Sequence, residues 1–392
     1  MAGRDIVVIG GSAGSIEALS ALLAGIPADF PAAICVVLHQ SAYSPNRRPE
    51  IFSRVTKLQV VLAEQGMRVR PGTVHLSVPD MHLMLERAST AELGRLRLVR
   101  GPKENRSRPA VDPLFRSAAV AFGRRVIGVV LSGALDDGAS GLWVIKDCGG
   151  TAVVQDPRDA SVNSMPTHAI EEVGADHVAP AAELGPLLDR LVRESLAAKP
   201  APEREVPVSG ASESRPRKSN ENDLKRELAI VSLDEEAHLA PERYGVPTRF
   251  ACPDCGGVLW AASAPGAPLH FRCETGHAYS AATLAEGQTE AAEAAMWAAL
   301  RALEDKAELA RLRAGLARER GQDAHAQQFE VQLQAAQQHG AAIRELLRMD
   351  GRSGIRPAAP DQGRGIQLEE GGDKHSPMTN EAPLPAQRRS GR

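Results

Sequence analysis

Ser12 lies in a glycine-rich turn where a serine hydroxyl could act as a nucleophile. Gly10, Ser12 and Gly14 form the pattern G-x-S-x-G directly after the β-branched run Ile6–Ile9, and Ile16–Leu23 then has the pattern of a helix. Glycines permit a tight strand-to-helix turn that exposes the hydroxyl, and the helix N-terminus offers N–H groups to a developing oxyanion. The pattern also fits a plain turn with Ser12 as helix N-cap, or a phosphate-binding loop.

Two further strand ends carry the residue types that a nucleophilic serine needs. Such a serine requires a base, and the base requires an orienting acid. His39 ends an apolar run, and Asp136 and Asp137 follow the run Val126–Leu131 in a glycine-rich turn. The carboxyl ends of strands in an open α/β sheet face one crevice, so these side chains could meet Ser12 there. The alternatives are a histidine that caps a strand and aspartates that cap a helix.

Residues 1–196 alternate strand-like and helix-like patterns, which predicts an α/β fold with a doubly wound, mostly parallel sheet. The expected strands are Ile6–Ile9, Ala33–Leu38, Leu58–Leu62, Thr73–Val78, Leu96–Arg100, Val126–Leu131 and Ala152–Gln155. The expected helices are Ile16–Leu23, Pro113–Ala121, Leu142–Asp147, Met165–Glu172 and Ala181–Leu196.

Composition narrows the class of protein. The 392 residues allow two or three domains, and a net charge of −3 does not indicate binding to nucleic acid or to an anionic membrane. Without a long apolar stretch or a signal-peptide core we expect no membrane insertion and a cytoplasmic location. Five cysteines make no disulfide framework, so Cys35 and Cys148 are expected to be buried structural thiols.

The second half of the chain changes character several times. Residues 197–245 are rich in Pro, Glu, Arg and Ser, which predicts a flexible linker. Residues 246–285 contain a cysteine and histidine cluster. Residues 286–348 have the spacing of a helical hairpin or coiled-coil arm with a break near Gly321, and residues 349–392 have the composition of a disordered tail.

The cysteine and histidine cluster has the spacing of a zinc site. Cys252 and Cys255 form C-x2-C, and after seventeen residues Cys273 and His277 form C-x3-H. Two ligand pairs on turns suit tetrahedral zinc, and four protein ligands would leave no open position, so the pattern predicts structural zinc in a small ribbon. The alternative is a hydrophobic hairpin with unliganded cysteines. The pattern gives no sign of a cofactor for catalysis.

Six collinear segments of residues 1–196 resemble the catalytic domain of CheB-type protein-glutamate methylesterases. They are Val8–Gly14, Val36–Gln40, Pro71–His82, Asn105–Phe115, Val129–Ala139 and Ser164–Ile170. The cysteine and histidine segment also resembles a C-terminal module of some stand-alone CheB-like proteins. The resemblance implies a serine esterase that releases methanol from glutamate methyl esters of a chemoreceptor or similar helical signalling protein.

The resemblance also implies roles for individual residues. The family's nucleophile falls on Ser12, its base on His39 and its acid on Asp137, with oxyanion donors from backbone N–H groups near Ala13 and Ala134. Arg106 and Arg108 align with a segment near the cleft, where they would bind a carboxylate or hold the fold through an ion pair with Asp112.

This sequence departs from the family's pattern at several positions. Ser15 stands where a second glycine is frequent, Ala13 where threonine is frequent, and Ala134 where methionine is frequent. The first expected strand begins almost at the N-terminus, so we expect no receiver domain ahead of it. A signalling adaptor with little esterase activity is the second hypothesis. A nucleotide-binding oxidoreductase is disfavoured, because Ser12 occupies the place of the second glycine of G-x-G-x-x-G.

Overall fold

The computed structural model describes residues 3–41, 47–88, 93–196, 221–234, 237, 245–262 and 266–350. The chain divides into two compact units, residues 1–298 and residues 299–392. The first unit contains the expected α/β domain and the cysteine and histidine segment. The expected tail, residues 349–392, lies outside the described residues apart from its first two positions. Among the described helices, none is long and apolar enough to cross a membrane.

The first unit is built on a seven-stranded parallel sheet in the order β3-β4-β2-β1-β7-β8-β9. Its strands are β1 Ile6–Gly11, β2 Ala33–Leu38, β3 Gln59–Leu62, β4 Thr73–Leu76, β7 Val126–Val130, β8 Thr151–Gln155 and β9 His177–Ala179. An antiparallel hairpin of β5 His82–Glu86 and β6 Arg95–Val99 lies outside this sheet. The predicted α/β class and parallel sheet are confirmed.

Helices cover both faces of the sheet because its central strands are apolar on both sides. Alternate residues of β1 enter two separate cores, Ile6 and Val8 on one face and Val7 and Ile9 on the other. The helices of this domain are α1 Ser15–Ala24, α2 Arg48–Ser53, α3 Val111–Phe122, α4 Ala139–Asp147, α5 Ser164–His168 and α6 Ala181–Arg193. Helices α3 and α4 pack on the first face, and α1 and α6 on the second.

One part of the expected linker is a helix. Residues Glu221–Val231 form α7, with Ile230 and Val231 fully buried, so the prediction of a flexible linker over 197–245 is wrong for this stretch. A carboxylate oxygen of Glu227 lies 3.2 Å from Nε of the buried Arg116 on α3. The charged residues of α7 gave it the composition of a solvated segment, whereas one of them, Glu227, pairs with the α/β domain. Residues 197–220 lie outside the described residues.

The cysteine and histidine segment forms a small antiparallel sheet, which we call the Cys/His module (residues 246–285). Its strands are β10 Val246–Ala251, β11 Val258–Ala262, β12 His270–Cys273 and β13 Ala278–Ser280, paired in that order. Helix α8, Ala281–Glu319, begins directly after β13. The module therefore agrees with the short ribbon strands expected from the sequence.

The expected helical arm is present. Helix α8 and helix α9, Asp323–Asp350, are separated by a turn in which Gly321 has φ +67°. Within the second unit, Arg344 pairs with Glu304 at 2.6 Å, and the Arg313 guanidinium lies 4.0 Å from the centre of the Phe329 ring. These contacts join the two helices as a hairpin with the break at the predicted position.

Candidate active site and metal centre

Ser12 follows the last residue of β1 in a turn that needs glycine. The Ser12 N–H donates to Ser132 O (2.9 Å), and the Ser12 carbonyl accepts from Ser15 N (3.1 Å) at the start of α1. Gly14 has φ +75°, and a Cβ there would lie 2.7 Å from Ser132 Oγ. A side chain at Gly14 would therefore meet both backbone strain and a collision. The Ser15 hydroxyl also donates to the Ser12 carbonyl, which adds a second hydrogen bond within this turn.

His39 stands beside Ser12 because of the strand register. Gly11 at the end of β1 is opposite Leu38 at the end of β2, and His39 N donates to Gly11 O (3.0 Å). The two residues therefore leave neighbouring strands at the same edge of the sheet. The Arg48 guanidinium donates to the carbonyls of Leu38 (3.0 Å) and His39 (2.9 Å), which fixes the backbone at this point.

Asp137 is the carboxylate that contacts His39. Its Oδ2 lies 2.6 Å from His39 Nε2, and the Asp137 side chain is buried while His39 is partly exposed. Val111 N donates to the same oxygen at 2.7 Å. Burial raises the pKa of Asp137, but the hydrogen bonds and the charge of its partners outweigh burial and hold that pKa below its usual value. The group is thus an ionised carboxylate that accepts from the imidazole.

The His39–Asp137 bond sets the histidine tautomer. A neutral imidazole has one donor nitrogen and one acceptor nitrogen, and an ionised carboxylate can only accept. Nε2 therefore carries the hydrogen, and Nδ1 is left as the acceptor. Such an arrangement can remove a proton from a hydroxyl that reaches Nδ1.

Asn105 and Asp112 complete the buried surroundings of Asp137, and the sequence did not indicate these roles. Asn105 Nδ2 donates to Asp137 Oδ1 (2.8 Å) and to Asp112 Oδ2 (2.9 Å). Gly141 N donates to the other Asp112 oxygen at 2.7 Å. Burial and the nearby Asp137 charge raise the pKa of Asp112 well above its usual value. The bonds from Asn105 to Asp137 and from Gly141 to Asp112 join residues 32 and 29 positions apart, which local patterns do not reveal.

The turn after β7 approaches Ser12 closely. A Cβ on Gly133 would lie 2.9 Å from Ser12 Cβ and would overlap Met165 Sδ, so only glycine fits. The N–H of Gly133 donates to Val162 O (2.9 Å). Among the described residues, by contrast, the N–H groups of Ala13 and Ala134 have no hydrogen-bond partner. The role of these two N–H groups as oxyanion donors, which the resemblance implies, stays a prediction.

The two arginines that were expected near the cleft have protein partners. Arg108 donates to Asp80 Oδ1 (2.6 Å) and to Gly101 O (2.7 Å), so its ion pair is with Asp80 and not with Asp112. Arg106 pairs with Glu290 on α8. A role for either arginine in substrate binding stays a prediction.

The four predicted metal ligands come together in the Cys/His module. The ligand atoms of Cys252, Cys255, Cys273 and His277 all lie within 4.8 Å of one another. Measured separations are 3.7 Å from Cys252 Sγ to His277 Nδ1, 3.7 Å between the Cys255 and Cys273 sulfurs, and 3.6 Å from Cys273 Sγ to His277 Nδ1. A tetrahedral zinc with Zn–S distances of about 2.3 Å would separate its ligand atoms by about 3.5 to 3.8 Å. The donor set and its spacing therefore fit the ion.

The two remaining cysteines lie in the α/β domain, away from this cluster. Cys35 is buried in β2, where burial raises the pKa of its thiol to about 12, and this agrees with the expected inert thiol. Cys148 is half-buried after α4, which is more exposed than predicted.

Comparison with known proteins places these features in a family. A family model described as CheB methylesterase matches residues 7–188. A putative protein-glutamate methylesterase/protein-glutamine glutaminase of Leptospira interrogans is 35% identical over 192 residues, which cover 49% of this chain and 97% of that protein. Protein-glutamate methylesterase/protein-glutamine glutaminase 2 of Anaeromyxobacter dehalogenans is 39% identical over 48% of this chain and 54% of its own length.

A solved structure also matches. The crystal structure of the Thermotoga maritima CheB methylesterase catalytic domain aligns over all of its length with 49% of this chain, at 35% identity and a TM-score of 0.46. The family model and the relatives define the class of protein, a hydrolytic enzyme with an α/β sheet. The chain belongs to the CheB methylesterase family.

Proposed function

We propose that this protein is a serine esterase that hydrolyses glutamate methyl esters on a chemoreceptor-like protein, giving glutamate and methanol in chemotaxis or chemosensory signalling. The observation that carries the proposal is the buried Asp137 carboxylate 2.6 Å from His39 Nε2, at the sheet edge where Ser12 leaves the neighbouring strand. The names of the relatives supply the substrate class, since they are called protein-glutamate methylesterases.

In the first half of the reaction, His39 Nδ1 accepts the Ser12 proton as Ser12 Oγ bonds to the ester carbonyl carbon. The carbonyl oxygen becomes an oxyanion, to which Ala13 and Ala134 offer backbone N–H groups. The tetrahedral species then breaks its bond to the methoxy oxygen, which takes the proton from His39 and leaves as methanol. Asp137 stabilises the imidazolium that exists between these two proton transfers.

The second half returns the enzyme to its starting state. Water gives a proton to His39 and its oxygen bonds to the acyl carbon, after which the bond to Ser12 Oγ breaks. Ser12 regains the proton from His39, and the glutamic acid product releases the second proton of the water to solvent to become the carboxylate. Every step uses groups of this chain and water, so no catalytic cofactor is required.

The test is methanol release from a methylated receptor fragment by the wild type, by Ser12→Ala and by a matched control, Ser20→Ala. Ser20 lies on α1, and among the residues that the structure describes its hydroxyl bonds only to Ile16 O in the same helix (2.7 Å). We expect wild-type rates from the control and none from Ser12→Ala. Equal methanol release by wild type and Ser12→Ala would contradict the mechanism, and a folded wild type without release would favour the adaptor hypothesis.

The relatives' names also include a glutaminase activity, which would pass through the same acyl intermediate with ammonia as the leaving group. Ammonia release from an unmethylated fragment with glutamine at the same positions should be measured in parallel. We expect the ester to react faster, because methoxide is a better leaving group than an amide nitrogen.

We further propose that Cys252, Cys255, Cys273 and His277 hold a structural zinc ion. The support is the mutual approach of the four ligand atoms and a soft donor set that suits zinc. Metal analysis of the full chain should find about one zinc per chain. Cys255→Ser should lose it, whereas Cys148→Ser, outside the cluster, should keep it. Full zinc content in Cys255→Ser would contradict the site.

A further inference from the structure

The Cys/His module joins the α/β domain beside Asp137. The backbone of β13 pairs with the loop that carries Asn105, since Asn105 N donates to Ala278 O (2.8 Å) and Ala278 N donates to Lys103 O (3.2 Å). Asn105 has φ +47°, a left-handed conformation that asparagine tolerates better than most residues. The module therefore extends a backbone segment of the active site.

The Asn105 side chain bridges the module and the carboxylate. Its Oδ1 accepts from Ser280 N (2.9 Å), at the end of β13, and from Thr283 Oγ1 (3.1 Å), in the first turn of α8. Its Nδ2 donates to Asp137 and Asp112. All hydrogen-bonding groups of this amide have a partner, and the module supplies both donors that its oxygen receives.

These two donors determine which way the amide points. If the Asn105 amide rotated by half a turn, its oxygen would face the ionised Asp137 carboxylate and its NH₂ would face the Ser280 N–H, which can only donate. With Ser280 in place, that orientation sets acceptor against acceptor at Asp137 and donor against donor at Ser280. Without the Ser280 and Thr283 contacts, the amide is held from one side only, by its bonds to Asp137 and Asp112.

A further hydrogen bond links the module to the loop after β7, which carries Asp136 and Asp137. Ser280 Oγ lies 2.6 Å from Oδ1 of Asp136, the residue directly before Asp137, and 2.7 Å from Thr283 Oγ1. Asp136 is buried, so this hydroxyl supplies a partner that the loop would otherwise lack. Ser280 and Thr283 thus contact both Asp136 and Asn105.

A buried ion network fixes the module at this place. Glu104, next to Asn105, accepts from Arg272 of β12 at 3.0 Å and pairs with Arg116 of α3. All three side chains are at most 3% exposed. Charges removed from water this completely are stable only with their partners in place, so the contact is specific and not a loose surface encounter.

We propose that Ser280 and Thr283 of the Cys/His module are positioning residues for the esterase site, which act through Asn105 on Asp137. The inference rests on the proposed function, because it assigns Asp137 its role there. The module is then a structural part of the active site. Its contacts with the α/β domain determine the strength of the hydrogen bond between Asp137 and His39.

The experiment compares Thr283→Val, Thr283→Ser and Thr289→Val in the full chain. Thr283→Val removes the hydroxyl at nearly constant shape, and Thr283→Ser restores it. Thr289→Val makes the same change further along α8, where the exposed Thr289 hydroxyl has Ala285 O (3.0 Å) as its one partner in the described part of the chain. Two readouts are taken: kcat and KM for p-nitrophenyl acetate, and the downfield NMR resonance of the His39 Nε2 proton.

We expect Thr283→Val to lower kcat about fivefold to tenfold with KM nearly unchanged, the range that follows from losing one buried hydrogen bond. The His39 proton resonance should move or broaden in this variant. Thr283→Ser should recover both properties, and Thr289→Val should match the wild type. A Thr283→Val protein with wild-type kcat and an unchanged resonance would overturn the proposal.

The two proposals fail in different ways. A wild type that does not hydrolyse the ester but whose His39 resonance responds to Thr283→Val contradicts the esterase function and supports the positioning contact. If ester hydrolysis depends on Ser12 but is unaffected by Thr283→Val, the esterase function is supported and the positioning role of Thr283 is contradicted. A circular dichroism melt of each variant separates these outcomes from simple unfolding.

Discussion

The α/β domain and the Cys/His module hold their polar residues by different means. The sheet places Ser12 and His39 at the ends of strands whose side chains are buried on both faces, so a large apolar core fixes them. The module has a core of six buried residues, and two of these are the candidate ligands Cys252 and Cys273. A core of that size needs a metal or a neighbour to be stable.

The difference indicates which residues of the candidate active site are held by the α/β domain itself and which depend on the Cys/His module. The backbones of Ser12 and His39 are set by the strand register and by contacts within the α/β domain. Asp137 is set by the loop after β7 and by Asn105, whose oxygen takes both its donors from the module. Substitutions in the sheet and substitutions in the module should therefore differ in how strongly they lower activity and in how strongly they lower stability.

The largest effect is expected for Asp137→Asn. An amide at this position favours the wrong tautomer of His39, and the same change in the catalytic triad of a serine protease lowers kcat about ten-thousandfold. The measurement is kcat with p-nitrophenyl acetate, alongside a thermal melt to show that the protein is folded. A loss of less than about tenfold would show that Asp137 does not orient the base.

Next in size is the loss of the buried ion network through Glu104→Gln. It leaves the buried Arg116 and Arg272 without their carboxylate, which should lower the free energy of unfolding by about 3 to 5 kcal/mol. The control is Glu86→Gln, whose exposed pair with Arg97 should contribute at most about 1 kcal/mol. Equal denaturation midpoints for the two variants would contradict the specific seating of the module.

The same network predicts the direction of a pH effect. Burial raises the pKa of Glu104, but the charges of Arg116 and Arg272 outweigh it, so its folded pKa lies below the ordinary value. The resulting stability is therefore present above the ordinary glutamate pKa and is lost as the pH falls towards the folded value. Wild type should lose more stability on acidification below about pH 4.5 than Glu104→Gln does. Equal pH slopes in urea titrations would contradict this.

Metal removal should have a smaller effect on activity than on the module itself. Chelation is expected to abolish the NMR dispersion of residues 246–285 while the signals of the sheet persist, because only the module depends on the ion. Activity should fall at least as far as in Thr283→Val, because the contacts of Arg272 and Ser280 are lost as well, but it should not disappear. Complete loss of activity on chelation, restored by zinc, would show that the sheet does not hold Ser12 and His39 on its own.

Much of the sheet could be predicted from the sequence because its strands are long buried runs. β2 has the expected bounds, and β1 and β7 begin where expected. The elements that were not predicted include α2, β5, β9, which has three residues at the sheet edge, and α7, in which Glu227 pairs with the buried Arg116. Short exposed or charged segments do not carry the apolar periodicity on which such predictions depend.

Some residues of the candidate sites could likewise be predicted from the sequence, and others could not. Cys252, Cys255, Cys273 and His277 could be found because metal ligands come in closely spaced pairs, and the structure brings all four together. Asn105 could not be given a role, because its partners Asp137 and Ser280 are 32 and 175 residues away in the chain. Only tertiary structure shows that an amide connects the two regions.

The most direct test of the central claim is to trap the acyl-enzyme. The wild type is mixed with a methylated receptor fragment, quenched in acid within the first turnover and mapped by peptide mass spectrometry. We predict a glutamyl adduct on Ser12 that forms together with one equivalent of methanol and is absent in a folded Ser12→Ala protein. Methanol release without an adduct, or an adduct on another residue, would contradict the account.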